Sequence, residues 1–303
     1  MISVLIPTYN YDITKLVKNL YQQLESSKLK YELIACDDCS TNQSTVESNK
    51  QISSLLKCRF IENRSNLGRT ATRQKLAKSA QYDLLLFMDA DVEVSRDFIN
   101  KFNVQHQTAD VIFGGTAYVK EKPQSKEVLN WKYGKNREVK SIKERQKSPY
   151  LSIISRGFII KKKIFLKVNS YLKNGYGLDV VFTNELKKIN TTVKHIDNPV
   201  VHIGLDDNKK FLEKTKKGID TLYYYEKQNI IPKDYKSIQK AYQFLKKNDL
   251  DSIFISLINS IEKQILKNLN SRNPSLFLFD LYRLKHFAIL HGEKQSKKDF
   301  SLK

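Results

Sequence analysis

Four times within its first 91 residues the chain runs a short apolar stretch into polar or acidic residues, and few folds accommodate that repeat. Ile2-Ser-Val-Leu-Ile6 meets Pro7-Thr8-Tyr9-Asn10. Tyr31 to Cys36 meets Asp37-Asp38-Cys39-Ser40. Cys58 to Glu62 meets Asn63-Arg64-Ser65-Asn66-Leu67-Gly68-Arg69, and Asp83 to Met88 meets Asp89-Ala90-Asp91. Between the first two, Leu16, Val17, Leu20, Tyr21 and Leu24 recur at helical spacing; between the last two, Thr70 to Ala80 reads as a helix. Alternating strands and helices joined by short loops predict a right-handed α/β fold around a mostly parallel, doubly wound sheet, with Tyr9, Asp38, Arg69 and Asp89 converging on one rim.

Open α/β sheets bind ligands beyond the carboxyl ends of their strands, so the acids at those ends are the first candidates for chemistry. Asp89 and Asp91, one residue apart, can hold a hard divalent cation that neutralises a diphosphate. As a bare Asp-x-Asp they also suit a solvated turn after a core strand.

Taken together and in order, Ser-Val-Leu-Ile-Pro-Thr-Tyr-Asn, Asp37-Asp38-x-Ser40-Thr41, Asn66-x-Gly68 with Arg73, and Leu-Phe-Met-Asp89-Ala-Asp91 resemble family 2 glycosyltransferases of the GT-A fold, over residues 1 to about 205. The resemblance implies a Rossmann-like nucleotide-diphospho-sugar transferase, an enzyme that uses a nucleotide sugar donor, UDP-linked, and Mn²⁺ or Mg²⁺, and that inverts the anomeric carbon. Carried over residue by residue, Pro7, Thr8 and Tyr9 border the base and Asp38 accepts from its ring N–H. Arg69 and Arg73 join the donor side, and Asp89 and Asp91 serve ribose and metal-diphosphate. Two positions depart from the family pattern. Cys39 stands where glycine is usual, and Gln74 follows Arg73 where asparagine is usual; both fall on the nucleotide rim.

The loop Asn174-Gly-Tyr-Gly-Leu-Asp-Val180 precedes a helical stretch from Val181 to Lys188. The family usually has Glu-Asp here, the Asp being the catalytic base, and this chain has Leu178-Asp179. One carboxylate suffices for inversion, because a single base must take the acceptor hydroxyl's proton. Asp179 reads as that base or as a helix N-cap. His202 ends a short apolar strand and reads either as a third metal ligand or as a hydrogen-bonded core histidine; carboxylate plus imidazole ligation suits Mn²⁺ more than Mg²⁺.

With 303 residues, 40% hydrophobic and 28% charged, the chain can bury a full core. The expected division is a catalytic domain over 1–205 and a helical C-terminal extension over 206–303. No run of about 18 apolar residues is present and the first strand begins at once, which predicts no signal peptide or anchor and a cytoplasmic protein. Cys36 and Cys39 have redox spacing, but Cys36 falls in a buried strand and no second pair completes a zinc site. Near the C-terminus, Phe254, Leu257, Ile258, Ile261, Ile265 and Leu269 mark one amphipathic helix, and Ser275 to Leu290 another that is apolar nearly all round.

A formal net charge of +21 attracts nucleic acid, anionic lipid or phosphorylated substrates without choosing among them. The chain has no recognisable nucleic-acid module, and its acids stand at strand ends where a phosphate backbone is repelled. The resemblance instead implies a nucleotide sugar and a glycan or lipid-linked acceptor as partners, and with them peripheral contact at an anionic membrane, through the lysines or the Ser275 to Leu290 helix. The opposing readings are a nucleotide-sugar binder without catalysis and a basic nucleic-acid-binding protein. Trp131 and the basic residues from Lys132 to Lys147 show no apolar periodicity, which fits a mobile lid or an ordinary surface loop.

Overall fold

The computed structural model describes residues 1–103, 108–169 and 175–292. Its strands are β1 (Ile2–Thr8), β2 (Tyr31–Asp37), β3 (Cys58–Glu62), β4 (Leu84–Met88), β5 (Val92–Glu93), β6 (Val111–Phe113), β7 (Thr116–Tyr118), β8 (Gly157–Lys161), β9 (Val193–His195) and β10 (Val200–His202). Seven make one sheet in the order β3-β2-β1-β4-β8-β6-β9. Pairing is parallel throughout except at β8, which runs antiparallel to both β4 and β6. The remaining three form a small second sheet, β5-β10-β7.

Side chains of a strand alternate between faces, and the main sheet buries both. Val4, Ile6, Leu33, Ala35, Leu86 and Met88 meet Leu16, Val17, Leu20 and Leu24 of the helix Thr14–Ser26 on one face. Leu5, Ile34, Cys36, Leu85 and Phe87 meet Leu76 and Ala77 of the helix Arg69–Ser79, and Phe165 of the helix Lys162–Val168, on the other. That is the doubly wound arrangement the apolar runs predict. Burial also pushes the Cys36 thiol up to about 11, so it is an inert core thiol.

Two compact units emerge. The first comprises 1–119, 137–174 and 182–204, and the second 120–136, 175–181 and 205–303. The second thus takes in two segments that a linear division at 205 assigns to the first. Its core gathers Leu129, Phe211, Leu212, Ile258, Ile265, Leu269, Phe279 and Tyr282, with Phe211 and Phe279 stacked 5.6 Å apart.

Two local expectations are corrected. The basic stretch after Trp131 is largely helical: Val128–Tyr133 buries Val128, Leu129 and Asn130, and Ile142–Lys147 begins with a capping box between Ser141 and Glu144. Arg145 is buried and donates to the carbonyls of Phe113 and Ile196, which ties this segment down rather than leaving it as a lid. The single helix expected from Phe254 to Leu269 breaks into Asp251–Ser260 and Glu262–Leu269. The Ser260 hydroxyl donates to the Leu257 carbonyl at 2.8 Å, and Ile261 leaves helical geometry at φ −111°, ψ 11°. The helix Leu276–Gly292 is packed within its unit, with Phe279, Tyr282, Phe287 and Ala288 buried. Its cationic residues are engaged: Lys285 lies 2.7 Å from Glu262, and His286 lies 2.7 Å from Asp220. Among the described residues no helix is long and apolar enough to cross a membrane.

Phe87 is fully buried, with ring centroids 4.3 Å from Phe165 and 5.5 Å from Phe158. Phe87→Ala is expected to cost about 3–5 kcal/mol through lost transfer energy and a cavity. Chemical denaturation followed by circular dichroism measures it, and a loss below about 1 kcal/mol would mean that this face repacks freely.

Candidate active site

The rim is built where β1, β2 and β4 end side by side. After β1, Asn10 turns the chain in the left-handed region at φ 50°. Its side-chain oxygen accepts from the N–H groups of Thr41 and Asn42, at 2.9 and 3.0 Å, and its own N–H donates to the Ser40 hydroxyl at 2.7 Å. The first two strand-end loops are thereby clipped together. Pro7 and Thr8 lie within β1, with Thr8 buried, while Tyr9 projects and is 48% exposed.

Asp38 follows β2 and is buried. Its Oδ1 accepts from Asn63 Nδ2 at 2.8 Å and from the Leu67 N–H at 2.9 Å, and its Oδ2 from the Gly68 N–H at 2.8 Å. A carboxylate has about four acceptor positions, so three are used in shaping the 63–68 loop and one remains. The sequence pattern held no sign of this shaping role. Cys39, next along, adopts φ 63°. That is the region glycine enters most easily, which gives a physical reason for the usual glycine.

Asp89 leaves β4 with its N–H donating to the Arg156 carbonyl at 2.8 Å. Arg69 donates to its Oδ2 and Arg73 to its Oδ1, the latter at 2.6 Å. Arg73 is itself buried, donates also to the Ser155 carbonyl, and lies over the Phe87 and Phe158 rings. Burial opposes ionisation of Asp89, but Arg69, Arg73 and Arg156 outweigh it and hold the carboxyl below the usual range. Arg73 therefore sits as a support under Asp89, and both Asp89 oxygens face guanidinium groups, surroundings that do not favour a cation beside them.

Asp91 has different company. Its Oδ2 lies 3.2 Å from His202 Nε2, brought there by antiparallel pairing of β5 with β10 and by the Ile203 N–H donating to the Asp91 carbonyl. A Cβ added at Gly204 would stand 2.4 Å from that same Oδ2, so only glycine lets the carboxylate lie there. The His202 ring packs edge-on against Tyr118 at 5.4 Å, and its Nδ1 has no hydrogen-bond partner among the described residues. One carboxylate and one imidazole, Asp91 Oδ2 and His202 Nε2 turned toward each other, fit a cation whose remaining ligands come from a substrate. Among the described residues no group of three or more His, Cys, Asp and Glu could enclose a metal by itself. His195 is no competitor: burial lowers it to about 4, and its Nε2 is 3.0 Å from the Pro149 carbonyl.

Beside Tyr118 stands a half-buried group that the sequence reading missed. The Tyr118 hydroxyl donates to Glu138, and Arg156 Nη1 lies 2.5 Å from the same carboxylate oxygen. Glu138 is the only acid between Val128 and Lys143, and that isolation in a basic segment was its one sequence signal.

Asp179 belongs to the second unit, as the first residue of the helix Asp179–Lys188 rather than the residue ahead of it. The Val180 N–H reaches the Gly177 carbonyl and the Val181 N–H the Leu178 carbonyl, so residues 177–181 form a tight turn leading into the helix. Leu178, in the place of the family's Glu, is buried. Asn174, the first residue of this loop in the sequence reading, lies outside the described residues.

The sequence profile described as Glycosyl transferase family 2 matches residues 3–168. A poly(ribitol-phosphate) beta-N-acetylglucosaminyltransferase of Staphylococcus aureus, TarS, is 32% identical over 110 residues, 35% of this chain and 18% of that protein. A dolichol-phosphate mannosyltransferase of Pyrococcus furiosus is 26% identical over 167 residues, 54% of this chain and 41% of that one. These matches span less than half the length of either relative. Among solved structures, the mannosyltransferase PcManGT of Pyrobaculum calidifontis, in complex with GDP-Man and Mn²⁺, aligns with a TM-score of 0.57 at 15% identity, covering 97% of this chain and 88% of that one. That likeness is one of fold, and it agrees with the GT-A architecture expected from the motifs.

The arginine clamp makes a pH-dependent contribution with a definite sign. The folded carboxyl of Asp89 titrates below its unfolded value of about 3.9, so its stabilisation is present above that pH and is lost as pH falls through the lower folded value. Asp89→Asn is expected to be clearly less stable than the parent at neutral pH, with the difference shrinking in acid. Thermal melts of both proteins from pH 7 to pH 3 check this, and a difference that stays constant would remove the charge from the explanation.

Proposed function

The chain belongs to glycosyl transferase family 2, and on that premise we propose that it is an inverting glycosyltransferase moving a sugar from a UDP-linked nucleotide sugar to a hydroxyl of a glycan or lipid-linked acceptor. The observation that carries this reading is the contact of Asp91 with His202 on the rim where Asp38 and Asp89 follow their strands. Two relatives, named for poly(ribitol-phosphate) and for dolichol phosphate, supply the two acceptor classes. The complex of PcManGT with GDP-Man and Mn²⁺ supports a nucleotide sugar and a divalent ion.

The roles follow from the surroundings of each residue. Asp38 has one acceptor position left after Asn63, Leu67 and Gly68, and uracil offers a single ring N–H, whereas guanine offers an N–H and an amine together. That arithmetic favours UDP. Pro7 and Thr8 border the base, and the exposed Tyr9 ring can stack on it. Asp89, held by Arg73 from below and Arg69 from the side, presents a fixed acceptor to the ribose. Asp91 and His202 would hold Mn²⁺ or Mg²⁺, which when bound stabilises the negative charge of the departing diphosphate. Asp179 takes the proton of the attacking hydroxyl as that oxygen closes on the anomeric carbon from the opposite side. The buried Leu178 leaves that task to one carboxylate.

Asp91→Asn preserves shape, and transfer is expected to fall more than about tenfold, equivalent to about 1.4 kcal/mol in the barrier. The Mn²⁺-dependent rise in melting temperature with UDP should disappear as well, since a ligand of the folded state stabilises by mass action. Retention of both would remove Asp91 from the metal site. Equal or larger stabilisation by GDP in the parent would overturn the choice of uridine.

Asp179→Asn retains a polar first-turn residue and cannot accept a proton. Transfer is expected to drop by about 10² or more while UDP-sugar affinity stays near that of the parent. Undiminished transfer would place the base elsewhere. Donor binding without transfer in the parent itself would favour a binder without catalysis.

A further inference from the structure

We infer that the second unit carries a docking face for anionic phospholipid, formed by the helix Asp251–Ser260 and the residues bounding it. This helix has apolar residues on two sides. Ile258 is buried and Phe254 packs against the same core, which accounts for its inner side. On its outer side Ile253 and Leu257, four residues apart, share a face, and Leu250 and Ile261 stand at the two ends of the helix. Ile253 and Leu257 are 65% and 60% exposed, Leu250 and Ile261 39% and 36%. Phe244, on the preceding helix Ser237–Lys247, is 64% exposed. Isolated exposed apolar residues are ordinary; two on one helix face with a third and a fourth at the helix ends mark a surface that some partner covers.

Charge decides what kind of partner. Exposed Lys246 and Lys247 precede these residues, and exposed Lys263 and Lys267 follow them. Of the three acids between Phe244 and Lys267, Asp251 is paired with Lys246 and Glu262 with Lys285, which leaves exposed Asp249 against Lys247, Lys263 and Lys267, a net positive surround. An apolar surface bracketed by lysines suits the boundary between headgroups and acyl chains, where the side chains enter the apolar layer and the long amines reach back to phosphate. A second copy of the chain is disfavoured, since it presents the same lysines and carries the same net charge of +21. The helix is ten residues long, so the contact is shallow and reversible rather than spanning. It requires neither donor nor metal, and stands or falls independently of the transfer reaction.

Flotation of the full chain with vesicles tests this, using phosphatidylcholine alone and phosphatidylcholine mixed with phosphatidylglycerol, at low and high salt. The parent is expected to float with the mixed vesicles at low salt and to remain largely behind with the neutral ones. The double variant Ile253→Ser with Leu257→Ser should lose at least about fivefold of the bound fraction at an unchanged circular dichroism spectrum. Lys263→Gln with Lys267→Gln should weaken binding to the mixed vesicles, and Phe277→Ser, an exposed apolar residue on another helix, should float like the parent. Ile253→Trp gives a second readout: emission beyond that of the parent should shift to the blue on mixed vesicles. Failure of the parent to float at low salt, flotation of the serine variant equal to that of the parent, or an unshifted Trp emission would overturn the proposal. So would a dimer in solution that the serine variant dissolves, because the face would then belong to a second copy.

Discussion

A carboxylate buried at the end of a strand is tenable only with cations beside it, and the pairing of Asp89 with Arg69 and Arg73 is the constraint on which the rim depends. Stripping water from one ion costs several kcal/mol, and its partners offset that only when geometry and hydrogen bonding are good. Here Arg73 meets the condition by bonding to the Ser155 carbonyl as well, with its guanidinium over Phe87 and Phe158. One cluster thereby fixes the end of β4, the helix Arg69–Ser79 and the segment leading into β8. Because Asp91 is two residues farther on, the same cluster sets where its carboxylate can point. Arg156 extends the network through Glu138 and Tyr118 to the ring of His202.

The parts of this arrangement that could be read in the sequence are those with a local signature. Apolar runs ending in Asp38 and Asp89 announced strands of a buried sheet, and helical spacing announced the helices over them. Long-range pairings left no such mark. Nothing near Gly157 says that β8 will run antiparallel between β4 and β6, and two strands of three residues and one of two are too short for a period to show the second sheet. That sheet nevertheless brings His202 to Asp91. Gly204 escaped notice for the same reason: its need for a bare backbone arises from a carboxylate 113 positions earlier in the chain. The break at Ile261 was missed because periodicity continues through it, while a serine hydroxyl competing for a backbone carbonyl is invisible to a pattern of apolar residues.

The departures from the family pattern have separate physical meanings. Cys39 stands in a left-handed conformation that costs a residue with a Cβ about 1–2 kcal/mol, and the turn survives because Asp37 accepts from both the N–H and the hydroxyl of Ser40. The strain is carried by a neighbour's hydrogen bonds, so the shape of the loop is kept. Leu178 is different in kind. It is buried, and an acid at that position would need a partner to offset its desolvation. Removing the acid removes that requirement and leaves Asp179, partly exposed at the start of its helix, as the carboxylate in this motif.

The excess of lysine contributes little to holding the fold. Pairs such as Lys15 with Glu93, Lys57 with Glu25 and Lys101 with Asp97 are between well-exposed side chains, where solvent and salt screen the attraction and little stability results. A net charge of +21 instead opposes compaction through self-repulsion, and stability has to come from the two buried faces of the sheet and the aromatic core of the helical unit. What such a charge does provide is attraction to anionic partners over a Debye length of about 8 Å at physiological salt. Attraction of that kind is unspecific, so selectivity must reside where the chain spends buried, hydrogen-bonded acids. On the rim the buried, hydrogen-bonded acids are Asp37, Asp38 and Asp89, negative charges that a surface serving only to attract phosphate would not need, and they are where the proposed function puts its selectivity.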